Sequence, residues 1–187
     1  MAVAGVRIAV REDAEVVAAL HRGIWRAAYS ELLPAGALDG LDAPGMRLAW
    51  ADTIDGGATV LIATEGDTPV GFVVAGPAPE DDMAAADGTL PTDAARVVLV
   101  STLLVEPRWG RRGHGGRLLA AVSARLREAG ATRGIAWVPA EDPASLSFYR
   151  RAGWNPDGTI RILDACGHPL REVRLTGSLD LALRGHG

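Results

Sequence analysis

The sequence predicts an α/β fold built from a mixed sheet of about seven strands and about four helices. The strongest indication is Val97–Val105, an almost unbroken apolar run rich in β-branched residues, which is typical of a strand buried on both faces. A glycine-rich turn follows this run, and apolar residues then recur at helical spacing as far as Gly130. Short apolar runs on either side of this region supply the other strands. The centre of the prediction is therefore the order strand, glycine turn, helix.

The start of the chain predicts a strand followed by a helix. Residues 6–10 alternate around Arg7, as a half-buried strand does. Asp13 is placed to cap the helix that follows. The apolar face expected of that helix consists of Val16, Val17, Leu20, Ile24 and Ala28.

The next elements are two short helices and a hairpin. Residues 34–42 and 46–54 are expected to form the helices, with Trp50 buried in the second. Residues 58–64 and 70–75 are apolar strands, and the polar turn between them marks a hairpin.

A polar, small-residue stretch, 77–95, separates the hairpin from the central strand. A loop of this length is either functional or a disordered connector, and its composition does not choose between them. After the central strand and helix, residues 132–138 predict another apolar strand. Two last strands are expected at 159–164 and 172–176.

The glycine turn has the composition of a phosphate-binding site. Residues 110–117 contain four glycines and three arginines, and a helix follows. Backbone N–H groups in such a turn can converge on an anion, and the start of a helix carries partial positive charge. The turn lacks the Lys-Ser or Lys-Thr pair of a P-loop, and the third glycine of the dinucleotide fingerprint is also missing.

This region resembles the acetyl-CoA-binding segment of the GCN5-related N-acetyltransferases, the GNAT family. The similarity covers residues 103–109, the run Arg112-Gly113-His114-Gly115 and the pair Leu118-Leu119. That family binds pyrophosphate with a Gln/Arg-x-x-Gly-x-Gly/Ala loop. Gly113 and Gly115 fall on its two glycine positions. Gly110 stands at the Gln/Arg position, and arginines follow it directly.

A second stretch, 142–154, is similar to the family's Asn-x-x-Ala-x-x-Phe-Tyr-x-x-x-Gly-Phe segment. Asp142 stands in place of Asn, Ser145 in place of Ala and Trp154 in place of Phe. Asp142 can also cap a short helix that Gly153 ends. Two motifs in the family's order, separated by one strand, are a stronger indication than either alone.

The resemblance implies one GNAT domain over residues 1–187, with central strands that splay apart. In the family the gap between these strands holds the pantetheine arm of the cofactor. The implied reaction moves the acetyl group of acetyl-CoA, the co-substrate, to a primary amine of a small molecule or a protein. The amine attacks directly, without a covalent enzyme intermediate. Dimers are common among such relatives, so a homodimer is one of the states expected.

The resemblance also implies roles for individual residues. By this resemblance Tyr149 is the candidate acid for the departing thiolate. Glu141 is the candidate base because of its place at the end of the second splayed strand. Tyr29 and Glu31 lie in the segment that faces the acceptor in many members. The residues expected to bind the cofactor are Leu103, Leu104, Val105, Arg111, Arg112, Gly113, His114, Gly115, Gly116, Asp142 and Tyr149.

Three details of that assignment remain open from the residues alone. The thioester carbonyl needs a donor, which a backbone N–H near Leu104 or Val105 can supply. Glu106 is an alternative base, although a solvated surface carboxylate is the simpler interpretation. The side chain of His114 is expected to face solvent within the turn.

Composition narrows the function class further. The 187 residues carry a net charge of −4, which argues against a general nucleic-acid binder. No apolar run approaches the ~20 residues of a membrane helix, and no signal peptide is evident. The single cysteine, Cys166, excludes an internal disulfide and a cysteine metal cluster, so a cytoplasmic protein without a metal is expected. Cys166 and His168 lie at a predicted hairpin tip, which is a poor place to orient a nucleophile pair.

Two other functions use the same predicted fold. One is a non-catalytic acyl-CoA-binding or regulatory module, and the other is an N-acyltransferase that uses a longer acyl-CoA. The sequence does not identify the amine acceptor.

Overall fold

The computed structural model describes residues 3–30, 44–165 and 167–181. Within these ranges seven strands form a mixed sheet in the order β1-β2-β3-β4-β5-β7-β6. The strands are β1 Ala4–Ile8, β2 Thr59–Glu65, β3 Thr68–Pro77, β4 Val97–Val105, β5 Arg133–Pro139, β6 Asn155–Ala165 and β7 His168–Ser178. The helices are α1 Ala14–Tyr29, α2 Met46–Asp55, α3 Glu80–Met83, α4 His114–Glu128 and α5 Pro143–Arg151. The fold class predicted from the sequence is confirmed.

The chain divides into two compact units. The first comprises Met1–Val74, Thr102–Leu119 and Asp164–His168. Its core forms where α1 and α2 pack on the apolar residues of β2 and β3. The buried members of this core include Val17, Leu20, Ile24, Trp50, Val60, Ile62 and Phe72. The predicted inner face of α1 and the burial of Trp50 are therefore confirmed, except that Ala28 is exposed.

The start of α1 differs from the expectation in one detail. Asp13 occupies the N-cap position, but its carboxylate does not cap the helix. It accepts a hydrogen bond from the Val10 N–H at 2.9 Å and two from the Arg7 guanidinium at 2.6 and 2.7 Å. The paired guanidinium offers a stronger, charge-assisted partner than a helix N–H, so Asp13 turns back toward β1.

The second unit comprises Ala75–Ser101, Ala120–Leu163 and Pro169–Gly187. In it, β5 pairs with β7 in antiparallel register along its whole length. The parallel pairing of β4 with β5 covers Val97–Leu99 and Arg133–Ile135, although both strands continue beyond these residues. The pairing of the two central strands is therefore confined to their first three residues, as expected for strands that splay apart.

The polar stretch 77–95 is ordered, so the interpretation as a disordered connector is wrong. Its Ala78 and Met83 bury against Val97 and Ile135. Two ion pairs fix it further, because Asp82 contacts Arg161 at 2.7 Å and Asp93 accepts two hydrogen bonds from Arg133 at 2.7 and 2.8 Å. Two buried apolar residues and two half-buried ion pairs thus order a segment that has no apolar run to indicate structure in the sequence.

Several boundaries differ from the sequence predictions. Helix α4 begins at His114, inside the predicted glycine turn, and β6 and β7 are each eleven residues long. The helix expected at 34–42 lies outside the described residues. Among the helices that are described, none has the length and apolar character needed to cross a membrane.

Candidate functional site

The turn between β4 and α4 has a tightly defined backbone. After β4 ends at Val105, Pro107–Trp109 forms a single 3₁₀ turn. Arg111 and Gly113 then adopt left-handed conformations, with φ of 63° and 81°. Glycine accepts such a conformation at no steric cost, whereas arginine pays about 1 kcal/mol for it. The turn reverses the chain so that α4 starts immediately after Gly113.

The start of α4 leaves backbone donors available. The first N–H groups of a helix have no partner within the helix, and here they belong to His114, Gly115 and Gly116. The next N–H, that of Arg117, is already satisfied, since it donates to the Gly113 carbonyl at 3.0 Å. Three neighbouring donors at a helix start are a suitable seat for an anion.

Three exposed arginines surround this seat. Arg111 and Arg112 lie in the turn, and Arg117 lies one helical turn later. The Arg117 guanidinium donates to the Arg112 carbonyl at 2.9 Å, which holds it against the turn. The Arg112 guanidinium lies 4.7 Å from the centre of the Trp109 ring. The turn therefore combines backbone donors with positive charge. Arg117 was absent from the predicted cofactor-binding residues, although it stood in the glycine-rich run.

The side chain of His114 is buried, so the expectation that it faces solvent is wrong. Only 1% of the residue is exposed. The physical reason is that α4 starts at His114, which places it on the same helical face as Leu118 and Val122, both fully buried. The spacing of these three residues was visible in the sequence and could have predicted the burial.

The last residues of β4 lie beside β3. The Glu106 N–H donates to the Val70 carbonyl at 2.9 Å. A Cβ on Gly71 would lie 2.5 Å from the Leu104 carbonyl oxygen, so the two strands approach too closely for any other residue. Because alternate residues direct their backbone groups to opposite edges, Leu104 and Glu106 face β3, while Leu103 and Val105 direct their N–H groups away from it.

In the second unit, Asp142 caps α5 as predicted. Its carboxylate accepts the Ser145 N–H at 3.0 Å and the Ser145 hydroxyl at 2.7 Å. Tyr149 lies on the same helix and is 5% exposed. Its ring stacks on Trp154, with centroids 5.5 Å apart and planes at 25°. The Trp154 indole is fully buried and donates to the Ser178 carbonyl at 3.1 Å.

The other residues to which the sequence assigned a catalytic or acceptor-binding role are Glu141, Glu106, Tyr29 and Glu31. Glu141 is exposed in the turn after β5. Glu106 is half-buried and accepts a hydrogen bond from the Arg108 guanidinium at 2.6 Å, so it is not a free surface carboxylate. Tyr29 is the last residue of α1. Glu31 and Cys166 lie outside the described residues.

Comparison with known proteins decides the family. The model of the acetyltransferase (GNAT) family matches residues 19–154. The chain belongs to this family. Probable N-acetyltransferase Rv2775 of Mycobacterium tuberculosis is 26% identical over 156 residues, which cover 82% of this chain and 80% of that protein.

Solved GNAT structures share the fold. The PaiA N-acetyltransferase of Thermoplasma acidophilum, determined with coenzyme A, superposes with a TM-score of 0.72 at 14% identity and covers 94% of this chain and 99% of its own. YncA of Salmonella typhimurium, determined with acetyl-CoA, gives a TM-score of 0.67 at 17% identity. The superposition covers 99% of this chain and 96% of YncA. At these identities the likeness establishes the fold.

Proposed function

We propose that this GNAT protein transfers the acetyl group of acetyl-CoA to a primary amine. The observation that carries the proposal is the turn at 110–117, where free helix N–H groups, two left-handed residues and three arginines converge. A diphosphate carries negative charge and several acceptor oxygens, and such a seat is complementary to both. Relatives of the same fold were determined with coenzyme A and with acetyl-CoA, which supports this ligand.

The thioester then lies along the end of β4. Its carbonyl oxygen gains negative charge as the amine attacks, and a fixed backbone N–H lowers the energy of that charge. Of the two donors considered from the sequence, Val105 is favoured over Leu104, because the Leu104 backbone faces β3. Leu103 directs its backbone to the same edge as Val105 and can pair with an amide of the pantetheine arm.

Two proton transfers complete the reaction. The amine nitrogen bonds to the thioester carbon and loses a proton, for which Glu141 is the proposed base. The carbon–sulfur bond then breaks, and the departing thiolate takes a proton from the Tyr149 hydroxyl. The stacking of Tyr149 on the buried Trp154 supports this role, because it restricts the ring to one orientation. Tyr29 and Glu31 are the proposed contacts of the acceptor.

The decisive experiment measures thiol release from acetyl-CoA, succinyl-CoA and other acyl-CoAs across a panel of amines. The panel contains protein N-terminal peptides, polyamines, aminoglycosides and amino acids. We expect release that requires both acetyl-CoA and one amine class. Cofactor binding alone is measured by calorimetry and by the rise in melting temperature that ligand binding produces. Binding of acyl-CoA without thiol release with any amine would indicate a non-catalytic acyl-CoA-binding module instead of an enzyme. A preference for succinyl-CoA would indicate an N-acyltransferase that uses a longer acyl group than acetyl. No binding of any CoA derivative would remove the proposal.

A further inference from the structure

We infer that the contact between the half-buried Glu65 and the buried His114 positions the first turn of α4 so that its backbone N–H groups converge on the diphosphate. The identity of that ligand rests on the proposed function, whereas the geometry of the turn is independent of it. The His114 Nε2 atom lies 3.0 Å from a Glu65 carboxylate oxygen, although the ring is not aligned for a regular hydrogen bond.

Packing alone does not require a histidine at this position. The other inward residues of the helical face, Leu118 and Val122, are apolar and fully buried. The His114 Nδ1 atom is buried without a hydrogen-bond partner among the described residues, and burying such an atom is unfavourable. A leucine would fill a similar volume without this cost. We therefore attribute the benefit of the imidazole to its polar contact with Glu65.

Glu65 is itself firmly held. It is the last residue of β2, and its backbone is paired with Ala4 of β1. The next residue, Gly66, donates its N–H to the Val3 carbonyl at 3.0 Å. The Glu65 backbone is therefore held in place, and only 18% of the Glu65 side chain is exposed. Through this contact the start of α4 is tied to the end of β2, which lies about fifty residues earlier in the chain.

The other end of the turn is held by Trp109. Its ring meets the His114 ring edge-on, with centroids 6.3 Å apart and planes at 88°, and the Arg112 guanidinium covers the indole. Arg111, in its left-handed conformation, lies between Trp109 and His114 in the chain. A non-glycine residue keeps such a conformation only where its surroundings hold it. We conclude that Glu65, His114 and Trp109 together hold the turn in its strained, anion-ready form.

The test compares His114→Leu, which keeps the volume but removes Nε2, with His114→Gln, which keeps a side-chain donor for Glu65. For His114→Leu we expect the KM for acetyl-CoA and the Kd for CoA to rise about tenfold, the effect of losing one polar contact that orders the turn. We expect kcat to stay within about twofold, because the reacting atoms lie elsewhere. The affinity for S-acetylpantetheine, which lacks the diphosphate, should not change. His114→Gln and wild type should bind CoA alike within about threefold.

Val122→Ala is the matched control, since it creates a cavity on the same face of α4 without touching the turn. It should lower the melting temperature while leaving the KM for acetyl-CoA unchanged. The inference is overturned if His114→Leu binds CoA like wild type, if it loses CoA and S-acetylpantetheine equally, or if Val122→Ala raises the KM to the same extent.

Amide hydrogen exchange of the ligand-free protein separates this inference from the proposed function. We expect the amides of residues 110–116 to exchange faster in His114→Leu than in wild type and Val122→Ala. Wild type that fails to bind CoA would refute the proposed function. In that case faster exchange in His114→Leu would still support the positioning role, and unchanged exchange would overturn it.

Discussion

Two glycines of the second unit pack directly against Trp154, which makes Gly177→Ala an informative substitution. Gly177 of β7 is paired with Gly134 of β5, and the indole of Trp154 covers both glycines. A Cβ on Gly177 would lie 2.3 Å from the indole Cδ1, 2.7 Å from Cγ and 3.0 Å from the Trp154 Cα. Since the last of these is backbone, rotation of the side chain cannot remove the overlap.

The expected cost follows from two opposing terms. Forcing an extra methyl group into a packed core costs about 1–3 kcal/mol, whereas replacing a strand glycine by alanine gains about 0.5–1 kcal/mol. The two ranges give a net loss in the free energy of unfolding of about 0–2.5 kcal/mol, with a midpoint of about 1 kcal/mol. For a chain of this size a loss of about 1 kcal/mol lowers the melting temperature by about 2–4 °C.

Urea unfolding of Gly177→Ala measures this loss, and Gly76→Ala supplies the control. Gly76 also lies in a strand, but no atom lies within 4 Å of the position of its missing Cβ. We expect Gly76→Ala to be as stable as wild type or slightly more stable. Adding Trp154→Phe, which shortens the ring, should make the Gly177→Ala substitution less costly than it is beside tryptophan. If Gly177→Ala were as stable as Gly76→Ala, the indole of Trp154 would not lie over the glycine pair. The stacking of Tyr149 on that indole would then also be wrong.

Three further outcomes are expected. Tyr149→Phe should lower kcat by about 10²–10⁴ with little change in the Kd for CoA, and unchanged turnover would remove the acid assignment. Burial lowers the pKa of His21, so unfolding takes up a proton below about pH 6.5, and stability falls as the pH drops through that value. His21→Phe should abolish this part of the pH dependence, which is measured by urea unfolding at pH 5.5 and 7.5. If the free energy of unfolding changed equally between the two pH values in both proteins, His21 would not be its cause. The hydrogen bonds from Arg7 lower the pKa of Asp13, so its stabilisation is present above about pH 4 and is lost as the pH falls through the folded pKa. Because Arg7 is half-exposed, Asp13→Asn should cost only about 1–2 kcal/mol at pH 7, and the difference from wild type should vanish in acid.

The sequence predicted those elements whose apolar pattern is continuous. The bounds of β4 were correct because its apolar run is interrupted only by Ser101 and Thr102 and Pro107 follows it. The start of α4 was placed too late, because Gly115 and Gly116 are poor helix formers and their presence suggested a turn. The contacts of Glu65 with His114, and of Trp154 with Gly134 and Gly177, join distant parts of the chain and leave no periodic signal in the sequence.

Gly110 stands where the family motif has Gln or Arg, and the structure gives a steric reason for the difference. The Gly110 N–H donates to the Pro107 carbonyl at 3.0 Å, and a Cβ on Gly110 would lie only 3.0 Å from the same oxygen. A long side chain at this position would therefore press on the 3₁₀ turn that precedes it. Under the proposed function, the positive charge that the family places here comes instead from Arg111, Arg112 and Arg117, the last of which donates a hydrogen bond to the Arg112 carbonyl in the turn. Since the electrostatic attraction of a phosphate depends on the distance of the charges rather than on their order in the chain, the motif can lose its first residue while the anion seat is retained.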